Sequence, residues 1–315
     1  MKEQFTNQRF NGSTLELLGH ADRIIAEFQQ QGFTLTVRQL YYQFVSRGLL
    51  KNNIKEYKRL GRTISDARLA GLLDWDAIED RVRYLQQIQH WEDAQDAHKH
   101  TVSRYAENLW LTQDFAPEVW VEKDALIGVI ERACNEFRCP FFACRGFVSQ
   151  SAQYEASKRF QNAVENGKTP LVFHLGDHDP SGIHMTADNR TRLALLSRFD
   201  VEVRRLALNI EQVEQYNPPP NPVKDKDTRT SGYKGQFGDT CWELDALNPV
   251  VIDALIREAL AGIIDDGPWE KAKKREASNR KMLQTIDDRW DDVHKFLKRK
   301  RKNANARRRV GTVRR

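Results

Sequence analysis

Apolar residues recur at helical spacing in three short runs near the start of the chain. Leu17, Leu18, Ala21, Ile24, Ile25 and Phe28 line one face of a helix predicted over 13–30, capped by Ser13 or Thr14 and stopped by Gly32. A second helix is expected over about 36–46, ended by Gly48, and a third over about 53–70, ended by Gly71. Three short helices followed by LLDWDAIEDRVRYL suggest a winged-helix relative of the helix-turn-helix. Residues 84–116 are polar and read as a helical connector. The texture then changes. VWVE (119–122), FFAC (141–144), LVFHLG (171–176) and VEVRRLAL (201–208) read as strands, and helices are expected between them over 124–134, 150–166 and 183–198. This alternation predicts an α/β fold with a parallel sheet and crossover helices. NPPPNP (217–222) opens a loop, and two helices over about 248–262 and 268–297 precede the end.

Length and charge refine the picture. A chain of 315 residues is about two domains long. No segment offers the roughly 20 apolar residues of a membrane helix, and the start lacks the apolar core of a signal peptide. Four cysteines without a CxxC pair argue against a zinc ribbon or a disulfide framework, so a reducing cytoplasm is expected. The 50 Lys and Arg exceed the 44 Asp and Glu, for a net charge of +6. Ten of those cations lie in 298–315, which holds no acid; the remainder has 40 against 44, a net of −4. Such a tail suits phosphate neutralisation. Lys55, Lys58, Arg59 and Arg62 form a basic stripe on the third helix, which reads as a DNA-binding face or as the solvated side of an ordinary bundle.

Function in an open parallel sheet gathers beyond the carboxyl ends of the strands. Glu122 ends the first strand, and Asp177 and Asp179 follow the third in HLGDHDPSG. Alternate residues of a D-x-D share a side, so two carboxylates can face one hard cation such as Mg²⁺, which favours oxygen ligands. The alternative is a pair of loop aspartates capping the next helix. His174 reads as strand filler and His178 as a loop residue or a support for the acids beside it; Glu243 and Asp245 read first as solvated positions around buried Leu244 and Leu247, with a place in the metal site as the alternative. Arg145, after the second strand, is a candidate phosphate contact.

VWVEKDAL and HLGDHDPSG resemble the motifs of a Toprim domain, the metal-binding module of topoisomerases, primases and some nucleases. Upstream, TVRQLYYQF resembles the R-x-x-Y-Y of the topoisomerase VI A subunit and the related meiotic double-strand-break protein, in which a winged helix precedes the Toprim domain. The likeness covers roughly residues 30–245, and the lack of an ATPase domain makes the chain similar to stand-alone A-like proteins of phages and mobile elements. It implies an N-terminal helix (1–33), a winged-helix DNA-binding domain (34–90), a connector (91–116), a Toprim domain (117–247), C-terminal helices (248–297) and the basic tail (298–315). It also implies Mg²⁺, with Mn²⁺ as an alternative, held by Glu122, Asp177 and Asp179. Double-stranded DNA is the implied substrate. A homodimer is implied, each tyrosine working with the metal site of the other subunit, and a separate B-type ATPase subunit is a further candidate partner. The bacterial, phage or mobile-element cytoplasm is the implied setting.

Which tyrosine reacts is a question of helix geometry. Val37, Leu40, Tyr41, Phe44 and Val45 share an apolar face, so Tyr41 is expected in the core. Arg38, Tyr42 and Ser46 fall on the adjacent polar side, leaving Tyr42 exposed with a cation one turn away. Tyr42 is therefore the expected nucleophile, Arg38 the phosphate-orienting cation and Glu122 an acid–base candidate as well as a ligand. A Toprim nuclease using water, and a DNA-binding protein without catalysis, are the competing expectations.

Overall fold

Side-chain chemistry sets where the first helices begin. The computed structural model describes residues 2–78, 88–223 and 229–300. Helix α1 (Gly12–Gln30) is capped by Asn11 rather than by the expected Ser13 or Thr14, two and three positions later; its side chain accepts from the Thr14 N–H. Helix α2 (Val37–Ser46) starts with a capping box between Thr36 and Gln39, and α3 (Ile54–Leu69) is capped by Asn53. Residues 79–87, where a wing would continue, lie outside the described residues, as do 301–315 of the basic tail.

Helix α4 (Ala94–Ser103) belongs to a separate unit. The sheet follows: β1 (Phe115–Val121), α5 (Ile127–Glu136), β2 (Phe141–Ala143), α6 (Gln150–Glu165), β3 (Thr169–Leu175), α7 (Pro180–Ser197) and β4 (Glu202–Ala207). All four strands are parallel, in the order β2-β1-β3-β4. Strand alternation sends Trp120, Val172 and Val203 to the face covered by α6 and α7, where they meet Phe160 and Leu193. On the other side α5 packs on α10 (Pro249–Ala261), which also touches β4. Before α10 come α8 (Ile210–Tyr216), β5 (Asn221–Pro222), α9 (Thr230–Phe237) and β6 (Thr240–Cys241); β5 and β6 pair antiparallel. Because β2 is added on one side of β1 and β3 on the other, the order of strand addition reverses at β1, and that switch point opens a crevice at the carboxyl ends of β1 and β3.

The chain divides into two compact units. One comprises 1–84 and 114–264, so the N-terminal helices and the parallel sheet fold as one body. The other comprises 85–113 and 265–315, so the two helices expected together after residue 247 fall in different units. In the second unit α11 (Asp266–Asp288) packs on α4 and on the turn Leu109–Thr112; Trp110 and Trp269 meet edge to face at 5.2 Å, and Arg275 pairs with Glu107 at 2.6 Å. Among the described residues no helix is long and apolar enough to cross a membrane.

Helix α2 departs from the one-sided pattern expected of it. Six consecutive residues, Gln39 to Phe44, are buried. One side of the helix meets α1 and α3; another meets the turn Leu244–Ala246. Tyr41 is a core residue as expected, but it also works through its hydroxyl. The Asn53 N–H donates to it at 2.7 Å, and it lies within 3.2 Å of the Lys51 and Asn53 carbonyl oxygens. It thus fixes the residue that caps α3. Removing a buried hydroxyl while its partner stays costs about 1–3 kcal/mol. Tyr41→Phe should therefore lower the urea-unfolding free energy by about that amount. A loss under about 0.5 kcal/mol would show that the hydroxyl does not hold the cap.

Candidate active site at the carboxyl edge of the sheet

The crevice between β1 and β3 is closed at its base by backbone and glycine. The Glu122 N–H donates to the Leu175 carbonyl at 2.8 Å, carrying the strand pairing one residue past β1. The Glu122 carboxylate then accepts the Asp177 N–H at 2.8 Å, so the acid after one strand holds the acid after the other. Glycine is a steric necessity at 182 and a close fit at 176. A Cβ on Gly176 would lie 3.0 Å from Glu122 Oε2 and 3.1 Å from the His174 ring. A Cβ on Gly182 would overlap the Asp177 carbonyl. Asp179 caps α7, its carboxylate accepting the Gly182 N–H at 2.6 Å, so the capping alternative holds for this residue through one of its oxygens.

Arg205 braces the loop from beneath. Its guanidinium donates to the carbonyls of Gly176 (2.9 Å), Asp177 (2.5 Å), Gly182 (2.9 Å) and Leu208 (3.1 Å) and to Thr186 Oγ1 (2.8 Å). Burial lowers its pKa to about 10, against the pull of Glu122, Asp177 and Asp179. His174 is fully buried in β3 and touches Thr186 Oγ1 through Nδ1 at 2.9 Å; burial first, then Arg205, push it down to about 3. His178 is the supporting residue rather than the bare loop position. It is buried among Tyr233, Phe237 and Trp242, touches the Tyr233 hydroxyl at 2.8 Å, and stays neutral with a pKa near 4, mainly through burial. Its backbone exchanges two hydrogen bonds with Trp242, which lays the segment 242–247 along the Asp-rich loop.

That segment corrects the sequence reading of Glu243 and Asp245, which are not solvated bystanders. The Asp245 side chain has no exposed surface. Arg38 of α2 pairs with Glu243 and, through Nε at 2.6 Å, with Asp245. Lys123 reaches the same two acids at 3.1 and 3.8 Å and Asp177 Oδ2 at 2.7 Å. Asp177 Oδ1 accepts the Leu244 N–H at 2.8 Å. Burial alone would lower the Lys123 pKa, but Asp177 and Asp245 outweigh it and leave it raised. Asp245 itself is raised by burial, against Lys123 and Arg38.

Tyr42 lies beside this junction, though not in the exposed position expected of it. It retains 5% of its surface, because α2 is covered by the 244–246 turn on the side that the sequence left polar. The Arg38 guanidinium sits 5.9 Å from its ring centre. Burial raises the phenol, while Arg38 and Lys123 pull it down without prevailing. A second tie lies nearby: Asn52 donates to Asn221 Oδ1 at 2.8 Å and to the Pro220 carbonyl at 2.9 Å.

The other candidates stand apart from the crevice floor. Lys55, Lys58, Arg59 and Arg62 are all exposed on α3, with Arg59 paired to Glu56 at 2.8 Å. The Arg145 side chain is three-quarters exposed and pairs with Asp124 at 2.8 Å, on a left-handed backbone with φ 58°.

The donor set can be weighed against the expected cation. Among the described residues no three acids, histidines or cysteines are drawn into a ready-made metal cage. The chemistry of the donors nevertheless fits a hard divalent ion. Glu122, Asp177, Asp179, Glu243 and Asp245 supply five carboxylates; Lys123, Arg38 and Arg205 supply three cations. With all five ionised, the excess of two negative charges is what one divalent ion would offset. Its strain is visible at Glu122, whose pKa burial and then Asp177 raise to about 7. No protein-family model matches the chain, and no curated protein matches it in sequence.

Two residues of the site had readable signals. Arg204 and Arg205 are neighbours in a strand, so alternation forces one of them inward. Lys123 directly follows the strand-terminal glutamate. The roles of Glu243 and Asp245 left no such signal, since they depend on a fold-back of more than 60 residues.

The raised Glu122 pKa sets a pH dependence. A carboxyl whose folded pKa lies above its unfolded value of about 4.3 adds stability at low pH and loses it as pH rises toward the folded value. In EDTA, Glu122→Gln should melt close to the wild type at about pH 4, then gain several degrees on it by about pH 8. A Tm difference independent of pH would contradict the shifted carboxyl.

Proposed function

We propose that the protein is a DNA strand-cleaving enzyme resembling the A subunit of type IIB topoisomerases, with a winged-helix-like N-terminal region and a Toprim-like sheet. The observation that carries this reading is the ionic junction that sets Arg38 and Tyr42 of α2 beside the carboxylates after β1 and β3. A phosphodiester lying along that edge would meet a phenol, a guanidinium and an acid that holds a proton near neutral pH. The substrate is double-stranded DNA, bound as a homodimer, with the exposed stripe of α3 and Arg145 as backbone contacts.

In the proposed reaction the Tyr42 oxygen attacks phosphorus in line. The new tyrosyl–phosphate bond forms as a P–O ester bond breaks, and the proton passes to the departing alkoxide. Glu122, ionised while it ligates a cation, can take up the phenol proton and pass it to that oxygen. Arg38 orients the phosphate and offsets its charge once Glu243 and Asp245 yield it. Mg²⁺ or Mn²⁺ held by Glu122, Asp177 and Asp179 would supply Lewis-acid stabilisation of the phosphoryl oxygens. Breaking both strands requires two tyrosines, hence two chains.

One observation favours a second reading, a nuclease in which water attacks. Tyr42 is nearly enclosed and its phenol is raised by burial. A covalent-adduct assay separates the two. Supercoiled plasmid is incubated with protein and Mg²⁺, quenched with detergent and digested with protease. The wild type should yield nicked or linear DNA whose mobility before digestion shows attached protein. Tyr42→Phe and Glu122→Gln should yield neither while still retarding DNA. A Tyr42→Phe protein that cuts at the wild-type rate would establish water as nucleophile. A wild type that neither binds nor cuts would overturn both readings.

A further inference from the structure

Lys123 occupies an unusual place for a lysine. Its ammonium lies 2.7 Å from Asp177 Oδ2, 3.1 Å from Glu243 Oε2 and 3.8 Å from Asp245 Oδ2. Three carboxylates from two loops thus converge on one singly charged group with three donors to give. The other Asp177 oxygen is committed to the Leu244 N–H. Oδ2 is therefore the oxygen that Asp177 can offer to a cation, and Lys123 holds it. Asp245 carries further unspent charge: its side chain has no exposed surface, and its Oδ1 has no hydrogen-bond partner among the described residues.

A divalent ion bound to Asp177 Oδ2 would sit about 2.1 Å from that oxygen. An ammonium at 2.7 Å from the same atom would then face a double positive charge at close range in a partly buried site, a repulsion of several kcal/mol even at an effective dielectric constant of about 20. The ammonium therefore opposes a divalent ion at that oxygen.

We propose that Lys123 is an internal counter-ion of the carboxylate edge, which a divalent cation must displace in order to bind. The proposal rests on the reading of Glu122, Asp177 and Asp179 as the cation-holding acids. In the metal-free protein Lys123 neutralises Asp177 and, with Arg38, the pair Glu243 and Asp245. On cation binding its ammonium leaves Asp177 and becomes available to a phosphate oxygen at the mouth of the crevice. Lys123 therefore lowers cation affinity by the cost of its own displacement.

The test measures cation binding without DNA, so it does not depend on cleavage. Mg²⁺ is titrated into wild type, Lys123→Met, Lys123→Arg and Glu122→Gln by calorimetry, with thermal melts in EDTA and in excess Mg²⁺. Lys123→Met should bind Mg²⁺ at least tenfold more tightly than the wild type. It should melt lower in EDTA and show a larger upward Tm shift with Mg²⁺. Lys123→Arg, which keeps the charge, should bind as weakly as the wild type, and Glu122→Gln should bind more weakly still. If Lys123→Met does not fold, Lys123→Gln takes its place with the same expected gain. Wild-type binding with no gain in the neutral variants overturns the counter-ion role and leaves the cation reading standing. Folded proteins that bind no Mg²⁺ in any form overturn both.

Discussion

Carboxylates that share a buried edge must be neutralised, and most of the architecture around β1 and β3 follows from that requirement. Five acids converge there, and three cations answer them from different parts of the chain. Arg205 binds the carbonyls of the Asp-rich loop, whose own backbone folds close enough on Asp177 to require glycine at 182. Lys123 and Arg38 answer from above. Because Arg38 belongs to α2, the need to neutralise Asp245 also draws the N-terminal helices onto the sheet edge, and the two regions form one body. A buried ion pair of this kind is weak evidence of net stabilisation, but removing one partner leaves a charge unpaired at considerable cost. Its contribution is to specify arrangement.

Much of the sheet was legible in the sequence because its signals are local. Runs such as VWVE and LVFHLG are apolar on both faces, as strands covered by helices on both sides must be, and the helix boundaries follow from Asn, Thr and Gly at their ends. Glu122 and Asp177 were legible as edge residues because each stands just past a strand, and adjacency of those strands brings them within one hydrogen bond. The failures are all tertiary. Tyr42 read as exposed because α2 has one apolar stripe, whereas the segment 243–246 covers its polar side, with Glu243 and Asp245 pairing to Arg38. Glu243 and Asp245 read as solvated for the same reason seen from the other partner. Polar residues buried by an ion pair carry no hydrophobic periodicity, so no pattern of spacing reveals them.

The same junction bears on chemistry. Tyr42, enclosed and raised, is not poised for attack while Glu243 and Asp245 hold Arg38. In the proposed reaction a DNA phosphate competes with those carboxylates for Arg38, and charge repulsion among the freed acids is met by a cation. On that proposal, substrate and metal would replace, piece by piece, the ionic contacts present in their absence. A water-attacking enzyme needs only the carboxylate edge and leaves the α2 contacts as structure.

The central claim is that half-exposed Arg38 and buried Asp245 act as one unit joining the tyrosine helix to the carboxylate edge. A double-mutant cycle on urea unfolding, with Arg38→Gln, Asp245→Asn and the double variant, measures that coupling directly. The pair at 2.6 Å should show a coupling of about 1–3 kcal/mol, the double variant being less destabilised than the sum of the single ones. Additivity to within about 0.5 kcal/mol would contradict it, and the tyrosine helix would then owe its place to apolar packing alone.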